Sequence, residues 1–458
     1  MRKKLTRREF VGSAVAASAL VAGVSAKSVD AQPPAQRPNV LYIMADDLGW
    51  GDLSCYGRPD YRTPNLDRLA SEGTRFNHAY SASPVCTPTR CGFVTGRYPA
   101  RTPVGLEEPL SWRKNLVEQK RDVGLAPEHP TVASLLKSAG YGTALVGKWH
   151  LGYLPKYSPI KSGFEEFFGI MSGGADHFTH KDANGEGDLF EAEVPVERVG
   201  YTTDLLTERA VEFLKRRRDA PFFLSLNYTA PHWPWEGPND EAVSRGIAAG
   251  YDGFTSGGSL KVYAEMMKSL DAGVGRVLRA LEEAGHARTT LVIFTSDNGG
   301  ERFSYNWPFT GKKFELYEGG IRVPAFARWP GRIPSGRTTE QAAITMDWTA
   351  TILAAAGARP HPDYPLDGTD LLPVMRGERA AFERTLFWRN DVQAAAREGR
   401  WKYLKVDDKT EHLFDLLTDE REQADYRAAQ PELFERLKSE YRKWEAQMLK
   451  QRPARPAN

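Results

Sequence analysis

NVLYIMADD, Asn39 to Asp47, is apolar from Val40 to Ala45 and stops on two aspartates. An apolar run this short, rich in β-branched and aromatic residues and bounded by polar ones, reads as a buried strand. The same unit recurs along the chain, each time beside a helical pattern. "TPNLDRLASEG" (63–73) reads as a helix, with Thr63 as N-cap, Pro64 in the first turn and Gly73 as the stop. "TVASLLKSAG" (131–140) is a helix and "YGTALVGKWH" (141–150) a strand. "TTDLLTERAVEFLKRRR" (202–218) is a helix and "PFFLSLNYTAPH" (221–232) a strand. Val262, Met266, Leu270, Val274, Leu278 and Leu281 form a helical stripe before the strand "TLVIFTSDNGG" (290–300). This alternation predicts an α/β fold with a largely parallel sheet sandwiched by helices.

The strands end in reactive groups. Asp46 and Asp47, Lys148 and His150, His232, and Asp297 with Asn298 stand at the ends of separate strands. Ligands of open α/β sheets bind outside the carboxyl ends of the strands, so these residues are expected on one rim. Three long Gly/Pro-rich stretches, 99–130, 172–200 and 236–259, are expected to wall a substrate pocket. After about residue 380 the pattern changes. "TLFWRN", "WKYLKVDD" and "HLFDLL" read as short antiparallel strands, and "PELFERLKSEYRKWEAQML" as an amphipathic helix. A catalytic domain over 38–379 and a small C-terminal α+β subdomain over 380–458 are expected.

With 458 residues, 41% hydrophobic and 26% charged, the chain has the make-up of a globular protein with a large core. A net charge of +2 gives no bulk reason to expect nucleic acid or an anionic membrane as partner. "MRKKLTRREFVG" pairs Arg7 with Arg8 ahead of Phe10 and Val11, and a weakly apolar run follows to Val24. Val24-Ser25-Ala26 and Val29-Asp30-Ala31 are cleavage-like. Residues 1–31 therefore read as a twin-arginine signal peptide, too short and Ala/Ser-rich to span a bilayer. The Tat translocase is an expected partner, and the periplasm or the exterior the expected destination. Modification and metal uptake would precede export. No cysteine lies near the cleavage sites, so no stable membrane anchor is expected.

Asp46-Asp47 and Asp297-Asn298 together offer three carboxylates and an amide oxygen. That set suits a hard divalent cation, calcium or magnesium, rather than zinc. Taken alone, Asp46-Asp47 reads more readily as a helix cap and Asp297-Asn298 as a turn. Lys148 and His150, two apart on a strand, are expected to face the same way, a fixed cation beside a titratable ring. His232 stands between prolines in "TAPHWPW", and "TGKKFELYEGGIRVP" (310–324) sets Lys312 and Lys313 ahead of a Gly-Gly turn. Singly, such residues are most often solvated surface.

"SPVCTPTRCGF" (83–93) holds two of the three cysteines. Three cysteines build no disulfide framework, though Cys55 and Cys91 could pair. Cys86 and Cys91, with four residues between them and no histidine nearby, make a poor zinc site. Pro88 favours the first turn of a helix, which places Cys86 just before an N-terminus, where anions gather. Arg90, four residues on, shares its face. A thiolate nucleophile is possible there. Beside carboxylates and a hard cation, an oxygen nucleophile fits better.

In these residues the chain resembles the type I sulfatases of the alkaline-phosphatase-like superfamily. Cys86-Thr87-Pro88-Thr89-Arg90 is similar to their C-x-P-x-R core and continues through "CGFVTG". "GYGTALVGKWH" (140–150) is similar to their second signature, and "ADDLGWGD", "TSDNGG" and "YEGGIRVP" match further blocks in family order. The resemblance implies a large mixed, mostly parallel sheet and a sulfuric ester hydrolase. It implies that a formylglycine-generating machinery converts Cys86 to formylglycine, whose hydrate is a gem-diol. It further implies that Asp46, Asp47, Asp297, Asn298 and residue 86 hold calcium, with magnesium as the alternative. Arg90 and Lys148 would hold the diol, and Asp297 would assist attack on sulfur. His232 or Lys313 would protonate the leaving alcohol, and His150 would take a proton from the second hydroxyl. Lys313 is preferred to Lys312 from its spacing to Tyr317-Glu318-Gly319-Gly320. Cys91 reads as a buried helix residue outside this chemistry.

Two rival functions use the same residues: a phosphonate or phosphodiester hydrolase, and a non-catalytic sulfated-glycan binder with unmodified Cys86. His177 and His180 in "GGADHFTH", Trp233, Trp235, Arg302 and Trp307 are candidates to bind a sugar. Export and these aromatics favour a sulfated carbohydrate over a small phenyl sulfate. "SGGADHFTH" and "DNGGERFSYNWP" resemble the branch with N-acetylgalactosamine-6-sulfatase-like and arylsulfatase A-like members.

Overall fold

A computed structural model describes residues 37–109, 122–216, 218–248 and 250–450. The expected signal peptide, residues 1–31, lies outside them. Asn39–Ala45 is the centre of the main sheet, parallel to Phe222–Asn227 on one side and Thr290–Ser296 on the other. Gly142–Gly147 and Glu166–Ile170 extend the parallel run. Antiparallel pairing then enters on both sides: Leu189–Glu191 and Val194–Pro195 finish one edge, and Ala325–Arg328 runs antiparallel to Thr290–Ser296 on the other side. Thr74–Phe76 and Arg337–Thr339 complete ten strands among the described residues. Part of the 172–200 stretch, expected as a pocket wall, is thus sheet edge. Its strands are short, and Val194–Pro195 is exposed, so no buried apolar run marked them.

Every residue of Asn39–Ala45 is buried, because helices cover both faces. Leu41, Ile43 and Ala45 share a core with buried residues of helices Pro64–Ser71, Thr202–Lys215 and Leu260–Glu283. Val40, Tyr42 and Met44 point the other way, toward Cys86–Thr95, Val132–Ser138 and Thr345–Ala356. The Tyr42 ring stacks on Phe93 with centroids 3.7 Å apart. Each such fully buried large side chain stabilises by about 1.5–3 kcal/mol. The contact sets helix Cys86–Thr95 over the central strand, with Cys86 near the strand's carboxyl end.

A second, four-stranded antiparallel sheet follows: Thr385–Arg389, Ala394–Glu398, Trp401–Lys405 and Glu411–Asp415. Ala394–Glu398 escaped the sequence reading because "AAARE" carries no β-branched or aromatic residue. Its alanines are buried in one cluster with Phe434, Leu437 and Tyr441 of helix Pro431–Glu445. That cluster also takes in Tyr80, Ile321 and Ile344. Beside it lies a buried ion cluster. The Lys402 ammonium is 2.9 Å from Glu318 Oε1 and 2.8 Å from Glu422 Oε1. Tyr80 donates to Glu318 Oε2 at 2.6 Å, and the Glu318 amide donates to Glu422 Oε2 at 2.6 Å.

Candidate active site

Asp46–Asp47 and Asp297–Asn298 leave the sheet from paired positions, since Ala45 and Ser296 are in register. The Asp47 amide donates to Asp297 Oδ1 at 3.0 Å, and Asn298 Nδ2 donates to Asp47 Oδ1 at 2.7 Å. Asp52 pins the loop that follows. Its carboxylate accepts from the Gly49 amide at 2.8 Å, the Tyr263 hydroxyl at 2.7 Å, the Tyr305 amide at 2.8 Å and Arg58 Nη1 at 2.7 Å. That is why "ADDLGWGD" ends on an aspartate. "TSDNGG" meets "YEGG" backbone to backbone: the Gly299 amide donates to Gly320 O at 2.9 Å. A Cβ at Gly299 would collide with the Gly319 carbonyl. This close approach brings the Lys313 loop to the strand ends.

Cys86 is the first residue of its helix, one place further in than expected. Its Sγ lies 3.4 Å from Asp46 Oδ1 and 3.9 Å from Asp47 Oδ1. Arg90, one turn on, donates to Asp297 Oδ2 at 2.8 Å through Nη2 and to Lys148 O at 3.1 Å through Nη1. Lys148 Nζ donates to Asp46 Oδ2 at 2.6 Å, and Lys313 Nζ to Asp47 Oδ2 at 2.8 Å. Lys312 is exposed, so Lys313 is the lysine of the pair that enters the site. His232 Nε2 is 3.6 Å from Asp47 Oδ2. Its Nδ1 donates to Trp233 O at 2.6 Å.

Lys148 and His150 reach the site by a different route from the one expected. The strand stops at Gly147, where φ is +116° and a Cβ would strike Asn227 O. His150 follows in a turn at φ +52°. A left-handed turn, not strand alternation, therefore turns the imidazole inward. It lies against Gly173, where a Cβ would be 2.8 Å from His150 Nε2. Both its ring nitrogens are buried without a partner among the described residues.

Burial pushes the Cys86 thiol well up, with Asp297 adding to it and Lys148 and Lys313 opposing. As encoded, residue 86 is a protonated thiol at neutral pH, and so a poor nucleophile. Burial, then Lys148 and Arg90, hold His150 well below the usual histidine range. Burial and Lys313 do the same to His232. Burial also raises Asp47, but Lys313, His232 and Lys148 outweigh it and keep the carboxyl below the ordinary range. Asp297 is pushed up to about 6, by burial first and Asp46 second, against Arg90 and Lys148.

Ligand atoms of Asp46, Asp47, Cys86 and His232 lie within 4.8 Å of one another. Asn298 Oδ1, fully buried, has no hydrogen-bond partner among the described residues. Carboxylate and amide oxygens suit a hard divalent cation. Asp297 Oδ2 is here turned to Arg90 instead.

All three cysteines are free, so Cys55 and Cys91 are not paired. Cys91 is a buried helix residue, 3.0 Å from Thr102 Oγ1. Of the six sugar candidates, the Trp233 ring lies 4.1 Å from His232. Trp235 is buried edge-on to Phe303, with Arg302 over its ring at 4.8 Å. Trp307 is exposed, with Arg421 at 4.9 Å over its ring. His177 and His180 are buried instead, their Nε2 atoms on the carbonyls of His232 at 3.3 Å and Gly200 at 3.1 Å. The sequence reading missed Lys402 and Glu422; the only signal was a lysine flanked by aromatics in "WKYLK".

The family described as Sulfatase matches residues 38–358. The chain belongs to the sulfatase family. This sulfatase is 36% identical over 403 residues to N-acetylgalactosamine-6-sulfatase of Canis lupus familiaris, covering 83% of this chain and 74% of that one. It is 33% identical over 438 residues to steryl-sulfatase of Mus musculus, with 78% and 68% covered. Among solved structures it is similar to Ps i-CgsB in complex with k-i-k-neocarrahexaose, at a TM-score of 0.80 and 32% identity, with 91% and 94% covered. The sulfatase is a sulfuric ester hydrolase of the alkaline-phosphatase-like superfamily. No helix of its described residues is long and apolar enough to cross a membrane.

Proposed function

We propose that this sulfatase hydrolyses sulfate monoesters of carbohydrates, with residue 86 converted to formylglycine and a divalent cation at Asp46, Asp47, Asp297 and Asn298. One observation carries the reading: the Cys86 side chain, useless as a thiol, points at Asp46 and Asp47, whose carboxylates bind Lys148 and Lys313. Hydrated, the aldehyde supplies two hydroxyls on one carbon, one to attack sulfur and one whose deprotonation releases sulfate. A calcium or magnesium ion would act as a Lewis acid toward the sulfate oxygens. Arg90 and Lys148 hold the hydroxyls and offset developing negative charge. Asp297 accepts the proton of the attacking hydroxyl. Lys313 and His232, both on Asp47, deliver a proton to the leaving alcohol. His150, neutral and with both nitrogens free, takes the proton of the second hydroxyl.

The carbohydrate preference is supported by the names of two relatives, N-acetylgalactosamine-6-sulfatase and the neocarrahexaose complex. Residues 1–31 would carry the folded enzyme out of the cytoplasm. Purified enzyme is expected to release sulfate from N-acetylgalactosamine 6-sulfate, galactose 6-sulfate or carrageenan oligosaccharides faster than from a steryl sulfate. A preference for the sterol, or for an aryl phosphodiester, would overturn this reading. Removing divalent cations with EDTA is expected to lower the melting temperature. Adding calcium to about a hundred times its Kd should restore about 3 °C. A melting temperature indifferent to both calcium and magnesium would rule out the cation site.

A further inference from the structure

Phe314 follows Lys313, and the chemistry above makes no use of it. Its φ is +78°, a conformation that bulky side chains rarely adopt. Three bonds impose it. The Lys313 amide donates to Gly300 O at 3.1 Å, and the Phe314 amide to Pro84 O at 2.9 Å. Asn390 Nδ2 donates to Phe314 O at 3.0 Å. The residue is thus clamped between the segment leading into Cys86 and the turn of the first C-terminal hairpin. Burial does not reward the strain, since Phe314 is 51% exposed. Glycine would satisfy the same backbone at no steric cost.

What the ring has is its place. Its centroid lies 5.4 Å from the Lys313 ammonium, and the Trp233 centroid lies 5.9 Å from the same nitrogen. Trp233 is half-buried and packed edge-on by Tyr251 at 5.6 Å; Phe314 is open. Two aromatic rings therefore border the ammonium that serves the leaving alcohol, and the carbon skeleton of that alcohol must pass between or beside them. Tyr251, 38% exposed, packs its ring on Trp233, and Trp307, 53% exposed, has the Arg421 guanidinium over its ring. We infer that Phe314 is a specificity-determining residue, an exposed platform on which the apolar C–H face of the sulfated pyranose stacks opposite the wall formed by Trp233. The inference rests on the carbohydrate reading above, and it explains why a strained position carries an aromatic side chain.

Wild type and the variants Phe314→Gly, Phe314→Leu and Phe314→Trp would be assayed for sulfate release from N-acetylgalactosamine 6-sulfate, galactose 6-sulfate and carrageenan oligosaccharides. Melting temperatures would be recorded alongside. Phe314→Gly is expected to raise KM by about tenfold on the hydrolysed sugar, with kcat within about twofold. Its melting temperature should equal or exceed that of wild type, because glycine suits the left-handed backbone. Phe314→Leu should behave like the glycine variant in KM, and Phe314→Trp should restore it. Unchanged KM in every variant, or a loss confined to kcat, overturns the stacking role while leaving the carbohydrate reading intact. A wild-type enzyme that releases sulfate from none of the sugars overturns both.

Discussion

Cys86→Ala is expected to abolish sulfate release, by at least about 10⁴-fold in kcat, because the attacking group itself is removed. Folding should change little. The thiol makes only long contacts, at 3.4 Å to Asp46 and 3.9 Å to Asp47. In wild type, the peptide holding residue 86 is expected to be about 18 Da lighter than encoded, having lost sulfur and two hydrogens and gained one oxygen. Mass spectrometry of active enzyme tests this directly. Full activity with the encoded mass at residue 86 would defeat the formylglycine proposal, since Cys86 as a buried thiol is held far above its usual range. A variant retaining a tenth of wild-type activity would show that some other group attacks.

The second large effect is on stability. Lys402→Met removes the cation that, among the described residues, bridges Glu318 and Glu422, all three of them buried. Breaking one partner out of a buried ion cluster costs about 3–5 kcal/mol. Burial has already pushed Glu422 up to about 7, so it can take a proton. Glu318 cannot do so as readily. Burial would raise it, but Lys402 and Arg322 hold it down to about 2. Much of the penalty is therefore expected at Glu318, which keeps Arg322 at 3.4 Å. Glu318 opens the turn whose Gly320 carbonyl receives the Gly299 amide, so activity should fall with stability. Denaturant unfolding of Lys402→Met beside Lys402→Met/Glu422→Gln checks the assignment. The double variant should recover nothing substantial if Glu318 carries the penalty. A single variant with the wild-type midpoint would contradict the cluster's role.

Much of this is legible in the amino-acid sequence. Val40 to Ala45 announced a strand because six apolar residues in a row have nowhere to go but inside. Asp46, Asp47, Lys148, His232, Asp297 and Asn298 announced a rim because strand ends are where an α/β sheet presents its loops. Other features were hidden. Ala394–Glu398 is a strand because its neighbours pair with it, and its own residues express no preference. Leu189–Glu191 joins the sheet one strand in from its edge, and its three residues, only Leu189 fully buried, are too few to show the periodicity that marks a strand. The inward turn of His150 depends on Gly147 pressed against Asn227, a contact between strands 80 positions apart in the chain (147 to 227).

By itself, then, the sequence determined the layered α/β architecture and the inventory of reactive groups, because burial pattern and residue type are local properties of the chain. Tertiary structure alone decided which atoms meet. Arg90 lies on Asp297 and Lys148 on Asp46 because the register of Ala45 with Ser296 and the stacking of Phe93 on Tyr42 fix helix and strand ends together. Lys313 rather than Lys312 enters the site because Gly299 lets the Gly319–Gly320 backbone come close. Phe314 is clamped in its left-handed conformation by Pro84 and Asn390, which lie 230 positions before it (314 − 84) and 76 after it (390 − 314). Charge pairing and backbone clamping act through space over a few ångströms, and no spacing along the chain encodes those distances.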